Sequence, residues 1–224
     1  MINSAGVSFG QRPQVVLYDH DGTLVDSLAV VVAATNAALR GRQLPERPAP
    51  EIIKAMVLAT APRMGFHAGI EDPLLQLALA SEFYAAAIQM PERVRVYADV
   101  PELVKTLAER GMVQGVISNN QGVFVRAAMR FLRLDGYFAT LLGEEDVPAP
   151  KPSPSGLLLA AKQLGVDPRH CVFVGDSPPD AQAAAAAGMR SIGVTWGIHT
   201  RDEMRDMGFT CLVDHPLEVL DLVQ

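Results

Sequence analysis

Cysteine is scarce: the 224-residue chain carries two, Cys171 and Cys211, and a single tryptophan, Trp196. Two cysteines cannot build a disulfide framework, so the fold must rest on its own apolar core. Each cysteine sits among apolar neighbours and is read as a small buried hydrophobe. Long hydrophobic runs are also lacking. Stretches such as 28–34 and 156–161 fall far short of the ~18 apolar residues that span a bilayer, so no membrane partner is expected. Residues 1–13 lack a basic segment followed by an apolar run; no signal peptide is read, and a cytoplasmic location is expected. Basic charge is in deficit, with 19 Lys and Arg against 25 Asp and Glu and a formal net charge of −6. No Lys/Arg stripe is available to displace phosphate counterions, which argues against nucleic acid as a partner. With 49% hydrophobic residues and only 20% charged, the chain has enough apolar material for a packed core and is not a disordered tail.

Short β-branched apolar runs recur at 15–18, 113–117, 139–142, 171–174, 191–195 and 211–213, each ending in a polar or glycine cluster. Segments of helical character separate them at 101–110, 123–134, 154–164, 180–187, 201–207 and 217–223. Strands alternating with helices predict βαβ units and a mostly parallel sheet. Near-continuous apolar strands suit a sheet covered on both faces. Gly111, Gly165, Gly188 and Gly208 follow the helical segments as expected left-handed C-caps. One region breaks the alternation. Between 28 and 90 no strand is evident; helices are expected over 28–40, 51–59 and 73–90, with a proline-rich turn at 44–50 and a short loop at 68–72. This is a helical insertion, with hinges near Asp26–Ser27 and 92–97. Trp196 is assigned to core packing.

Four polar clusters stand after predicted strands, three directly and one in a later loop. Ligands of open parallel sheets bind outside the carboxyl ends of the strands, so these clusters can converge. Asp19-His20-Asp21-Gly22 pairs two carboxylates in a tight loop, suited to attack and proton handling, or forms an ordinary Asp/Gly turn. Ser118-Asn119-Asn120 offers a hydroxyl and N–H groups to an oxyanion, or caps a helix. Lys151, between prolines, is a stiffly held cation for a phosphate, or a solvated surface lysine. Asp176 and Asp180 place two carboxylates across the first turn of a helix, suited to Mg²⁺ or to capping that helix.

Together, DHDGTLVDS, ISN, KPSP and GDSPPD resemble the four motifs of the haloacid dehalogenase-like superfamily of phosphotransferases, over about 13–223. The helical insertion resembles the small α-helical cap of one large subgroup. GEEDVPAPKPSP, CVFVGDSPPDAQAAAAAGM and IGVTWG resemble the branch containing phosphoglycolate phosphatases. The resemblance implies an α/β fold: a Rossmann-like three-layer core with a parallel sheet (1–27 and 92–224) interrupted by an all-α helical-bundle cap (28–91).

It also implies roles. Asp19 is the nucleophile that forms an aspartyl-phosphate. Asp21 is the acid and then the base. Mg²⁺ is held by Asp19, the Asp21 carbonyl and Asp176, with Asp180 in support. Ser118 and the Asn119 N–H bind the phosphoryl group, and Lys151 neutralises phosphate and orients Asp19. An aspartate at position 21 favours phosphate esters over carbon–halogen or carbon–phosphorus bonds. The implied partner is a small phosphorylated metabolite, first phosphoglycolate, acted on by a monomer or homodimer. A sugar-phosphate mutase of the β-phosphoglucomutase type and a non-catalytic phosphate-binding protein are the alternatives.

Asp26 and Ser27 match the hinge into the cap; Ser27 is also read as a helix N-cap. Arg47, Arg63 and His67 are read as exposed polar residues, with substrate contact as the alternative. The chain departs from the family pattern at His20, where an aromatic or aliphatic residue is usual and packing is expected. It departs again at Asn120, where phosphoglycolate phosphatases often have Lys, and at Asp99, where Gly is frequent.

Overall fold

The structure, a computed structural model, describes residues 12–223. Most of the segment read as free of a signal peptide lies outside the described residues. The chain forms two compact units: residues 27–95, and the remainder on either side of them.

The larger unit is built on a six-stranded sheet: β1 (Val15–Tyr18), β2 (Val113–Ile117), β3 (Thr140–Leu142), β4 (Cys171–Gly175), β5 (Arg190–Val194) and β6 (Cys211–Val213). Every pairing is parallel, in the order β3-β2-β1-β4-β5-β6. Val15 faces Val113 on one side and Cys171 on the other, and every β1 side chain is buried. Burial on both faces is why these strands read as unbroken apolar runs.

One face carries Val15, Leu17, Cys171 and Phe173. It packs on α7 (Ser155–Gln163) and on the small residues Ala183, Ala184 and Ala187 in and just after α8 (Pro178–Ala186). On the other face the Tyr18 hydroxyl donates to Gln114 Oε1 at 3.0 Å. The Gln114 amide then donates to the Val104 carbonyl of α5 (Val100–Glu109) at 2.8 Å, so this buried polar pair is satisfied. Helices α6 (Gly122–Phe131), α9 (Arg201–Met204) and α10 (Glu218–Leu222) complete the unit. Gly111, Gly165, Gly188 and Gly208 all take positive φ, between 70° and 88°, as their C-cap positions require.

The smaller unit is all helical: α1 (Leu28–Gly41), α2 (Ala49–Lys54), α3 (Thr60–Ala68) and α4 (Pro73–Ala87). On α1 the buried residues Val30, Val31, Ala34, Thr35, Ala38 and Leu39 recur at the three-to-four spacing of one helical face. Helix α4 packs against both α1 and α3. Short extended segments Val25–Asp26 and Arg95–Val96 mark the unit boundaries.

Three expectations are corrected. The helix expected over 51–59 is α2 followed by a 3₁₀ turn, Ala55–Val57. Helix α3 was not foreseen: Pro62 and Gly65 break the sequence pattern. Proline within the first turn costs little there, because those N–H groups have no intrahelical partner. A Cβ on Gly65 would lie 2.5 Å from the Gln76 side chain and 2.6 Å from the Ile70 carbonyl, so the close approach of α4 requires glycine. Finally, Ser27 stands at the N-cap of α1 but its side chain makes no capping bond.

Candidate active site

The strand order reverses direction between β1 and β4, and at that point the carboxyl ends of parallel strands leave a crevice. Asp19 follows β1, Ser118 follows β2 and Asp176 follows β4. The Asp19 N–H donates to the Val174 carbonyl at 2.8 Å, tying the first loop to the end of β4.

Lys151 is the pivot. Its Nζ lies 2.7 Å from Asp19 Oδ1 and 2.7 Å from Asp180 Oδ1, and its side chain is only 4% exposed. Of the two readings of Lys151, the solvated surface lysine is therefore excluded. Proline spacing carries no burial signal, and what buries Lys151 are residues distant in sequence, including the Phe173 ring, 5.2 Å from Nζ. The lysine backbone is clamped as well. Asn119 Nδ2 donates to the Lys151 carbonyl and Asn119 Oδ1 accepts from the Lys151 N–H, both at 2.8 Å. Lys151–Pro152 is a cis peptide.

Asp180 is fully buried and its oxygens are engaged. Oδ2 accepts from the N–H of Asp176 (3.2 Å), the N–H of Ser177 (3.0 Å) and the Ser177 hydroxyl (2.6 Å), while Oδ1 faces Lys151. It thus caps α8 and holds Lys151 at once. Asp176 is seated by two glycines. A Cβ on Gly22 would fall 2.1 Å from Asp176 Oδ2, and one on Gly197 would fall 2.5 Å from it. The Ile198 N–H approaches the same oxygen at 3.5 Å.

Asp21 is partly exposed. Its Oδ2 receives Asn120 Nδ2 at 2.6 Å and His20 Nδ1 at 3.1 Å. Ser118 does not cap a helix: α6 starts at Gly122 after Gln121, and Ser118 Oγ instead accepts from the Asn120 N–H at 3.0 Å. His20 packs as expected, fully buried and edge-on to Phe124, but also bonds Asp21.

Burial shapes the electrostatics. It pushes the Asp19 carboxyl up to about 7, with Lys151 pulling the other way. Asp176 is raised well above the ordinary carboxylate range, chiefly by burial and then by Asp19 and Asp180. For Lys151, burial disfavours the charge, but Asp180 and Asp19 more than offset it and its pKa lies above the ordinary value.

Asp19, Asp176 and Asp180 each offer an oxygen within 4.8 Å of the others. Ionised, they carry three negative charges against the single positive charge of Lys151, a deficit of two. Hard carboxylate oxygens with an excess of two negative charges fit Mg²⁺. Because Lys151 and the capping donors occupy Asp180, Asp19 and Asp176 are the carboxylates suited to ligation.

One contributor was missed in the sequence. Trp196 Nε1 donates to the Thr23 carbonyl at 3.0 Å, so the loop after β5 braces the first loop rather than simply packing. The sequence signal for it is IGVTWG, a polar-capable aromatic and a glycine immediately beyond a strand end. In the helical unit, Arg63 and His67 are buried, contrary to expectation. Arg63 lies over the Phe83 ring, and His67 Nδ1 stands 3.8 Å from Glu51 Oε1. Arg47 donates to the His67 carbonyl at 2.9 and 3.0 Å.

The chain is similar to known proteins over most of its length. Residues 16–194 match the family model described as haloacid dehalogenase-like hydrolase. A phosphoglycolate phosphatase of Pseudomonas putida is 34% identical over 197 residues, covering 84% of this chain and 71% of the relative. An N-acetylmuramic acid 6-phosphate phosphatase of Pseudomonas aeruginosa is 30% identical over 226 residues, covering 95% of each chain. A solved haloacid dehalogenase-like hydrolase from Bacteroides fragilis superposes with a TM-score of 0.82 at 28% identity, over 93% of this chain and 100% of that one. With its motif residues gathered at the switch point of a parallel sheet, the chain belongs to the haloacid dehalogenase-like hydrolase family.

Proposed function

We propose that this phosphoric monoester hydrolase cleaves a small phosphate ester by way of an aspartyl-phosphate on Asp19, with phosphoglycolate as the first candidate substrate. The observation that carries the reading is the buried Asp19–Lys151–Asp180 chain of ion pairs at the switch point. A carboxylate gripped by a cation on one oxygen is oriented for attack through the other.

Asp19 attacks phosphorus, and the bond from phosphorus to the leaving oxygen breaks. Asp21 gives its proton to that oxygen, then takes one from the water that attacks the aspartyl-phosphate and releases Asp19 and inorganic phosphate. Ser118 Oγ already accepts the Asn120 N–H, which directs its own proton elsewhere, toward a phosphoryl oxygen in this reading. The Asn119 N–H is assigned to the same group, while the Asn119 side chain fixes the Lys151 backbone. Asp19, the Asp21 carbonyl and Asp176 would hold Mg²⁺, which supplies positive charge against the phosphoryl oxygens when bound. Asp180 keeps Lys151 in place.

A second substrate has its own support: the N-acetylmuramic acid 6-phosphate phosphatase relative aligns over 95% of its own length, against 71% for the phosphoglycolate phosphatase. Both candidates are phosphate monoesters that also carry a carboxylate. Purified protein and Asp19→Asn are assayed with p-nitrophenyl phosphate, with and without Mg²⁺. Metal-dependent release lost in the variant is expected, and its absence refutes the reading. Phosphate release is then compared across phosphoglycolate, N-acetylmuramic acid 6-phosphate, hexose phosphates and nucleotides. Isomerisation of β-glucose 1-phosphate without free phosphate would replace hydrolysis by mutase activity.

A further inference from the structure

We propose that His20 and Asn120 are positioning residues that hold the Asp21 carboxylate by its Oδ2 atom and so fix its orientation for proton exchange. The proposal rests on the role given to Asp21 above and concerns how that role is set up.

Two side-chain nitrogens converge on a single oxygen. Asn120 Nδ2 lies 2.6 Å and His20 Nδ1 3.1 Å from Asp21 Oδ2. This pair of bonds fixes rotation of the carboxylate about its own axis, which a single bond to one oxygen would leave softer.

Both side chains stand on hydrogen-bonded backbone. The His20 carbonyl accepts the N–H groups of Leu24 and Val25, each at 3.0 Å, closing the first loop. The His20 ring is fully buried and stands edge-on to Phe124, with centroids 5.9 Å apart and planes at 85°. Asn120 is pinned on both sides: its N–H donates to Ser118 Oγ at 3.0 Å, and its carbonyl accepts the Glu144 N–H at 2.8 Å.

Packing alone does not account for an imidazole here, because an apolar ring would fill the same volume. Among the described residues, His20 Nε2 has no hydrogen-bond partner and is buried. With Nδ1 donating to Asp21, Nε2 is the lone-pair nitrogen, and burying a lone pair costs less than burying an orphaned N–H. The histidine thus carries one unsatisfied atom in return for the bond to Asp21.

The test separates proton delivery from general disruption through the leaving group. A p-nitrophenolate departs without needing a proton, whereas the alkoxide of glycerol 2-phosphate needs one. His20→Phe keeps the ring and loses the donor; His20→Asn places an amide where Nδ1 lay; Asn120→Ala removes the second donor from a half-exposed site. For His20→Phe and Asn120→Ala, kcat/KM for glycerol 2-phosphate is expected to fall roughly 10–100-fold, part of the ~10²–10⁴ that general acid–base catalysis supplies. With p-nitrophenyl phosphate, kcat/KM should change less than about 3-fold. There kcat and KM should fall together, with a burst of nitrophenolate equal to the enzyme, because the second step still needs Asp21 as base. His20→Asn should restore most of the loss. Equal losses of kcat/KM on both substrates, no loss on either, or no rescue by His20→Asn overturns the proposal. Asn120→Ala alone decides if His20→Phe does not fold. A wild-type protein without Asp19-dependent turnover refutes the function reading itself, before any of these variants is compared.

Discussion

Lys151→Met isolates the buried ion-pair chain. In the native protein Nζ makes two contacts of 2.7 Å, to side chains 11% and 0% exposed. At an effective dielectric of about 20, each contact is worth about 6 kcal/mol of Coulomb attraction, much of it offset by the cost of taking the ions out of water. Methionine fills similar space but leaves Asp19, Asp176 and Asp180 without their cation. Breaking a buried pair in this way costs about 3–5 kcal/mol. With a urea slope of roughly 2–3 kcal/mol per molar, the unfolding midpoint should drop by about 1–2 M at pH 8 in EDTA. The single tryptophan, Trp196, reports the unit that contains the site.

The pH dependence has a definite sign. Asp19 already sits at about 7 in the folded chain against an ordinary 3.8, and losing Lys151 raises it further. A carboxyl raised by folding destabilises above its folded pKa, and the penalty disappears as pH falls toward the unfolded value. The deficit of the variant is therefore largest at pH 8 and shrinks as pH is lowered through 7 toward 4. A midpoint at pH 8 unchanged from wild type, or a deficit that grows on acidification, refutes the buried-pair account.

Gly197→Ala would place its Cβ 2.5 Å from Asp176 Oδ2 and 2.6 Å from the Gly22 carbonyl. A shifted Asp176 should raise the Mg²⁺ concentration for half-maximal phosphate release by about 10–100-fold, read by metal titration. Asp99 takes φ +63° and its side chain makes no capping bond, so Asp99→Gly should gain about 0.5–1 kcal/mol in urea unfolding by relieving a left-handed conformation that glycine adopts freely. The thiols of Cys171 and Cys211 are buried and pushed up to about 11 by burial. At pH 8 neither should react with Ellman's reagent on the timescale at which the guanidinium-unfolded chain reacts fully.

The core sheet was legible because each strand is buried on both faces, which writes an unbroken apolar run such as Val15–Tyr18 into the chain. The ends of those runs then located Asp19, Ser118 and Asp176 without knowledge of the tertiary contacts. Lys151 was legible as a candidate, but its sequence left a solvated surface lysine open as the alternative, since its burial comes from Asp19, Asp180 and Phe173, none of them near in sequence. Helix α3 escaped for the opposite reason. Its local signals, Pro62 and Gly65, speak against a helix, and only the first-turn position of the proline and the approach of α4 at the glycine make them compatible with one.

The same division holds within the site. Residues that perform chemistry announce themselves by type, because few side chains can attack phosphorus or bear a proton. Residues proposed to orient them do not: Trp196 donates through an indole that looks like core, Gly197 leaves room by having no side chain, and His20 sits where an apolar ring would pack as well. Their roles exist only in distances, to Thr23, to Asp176 and to Asp21. Changing them should therefore lower turnover or shift metal dependence while leaving every motif intact, so a chain can keep all four motifs and still lose efficient turnover.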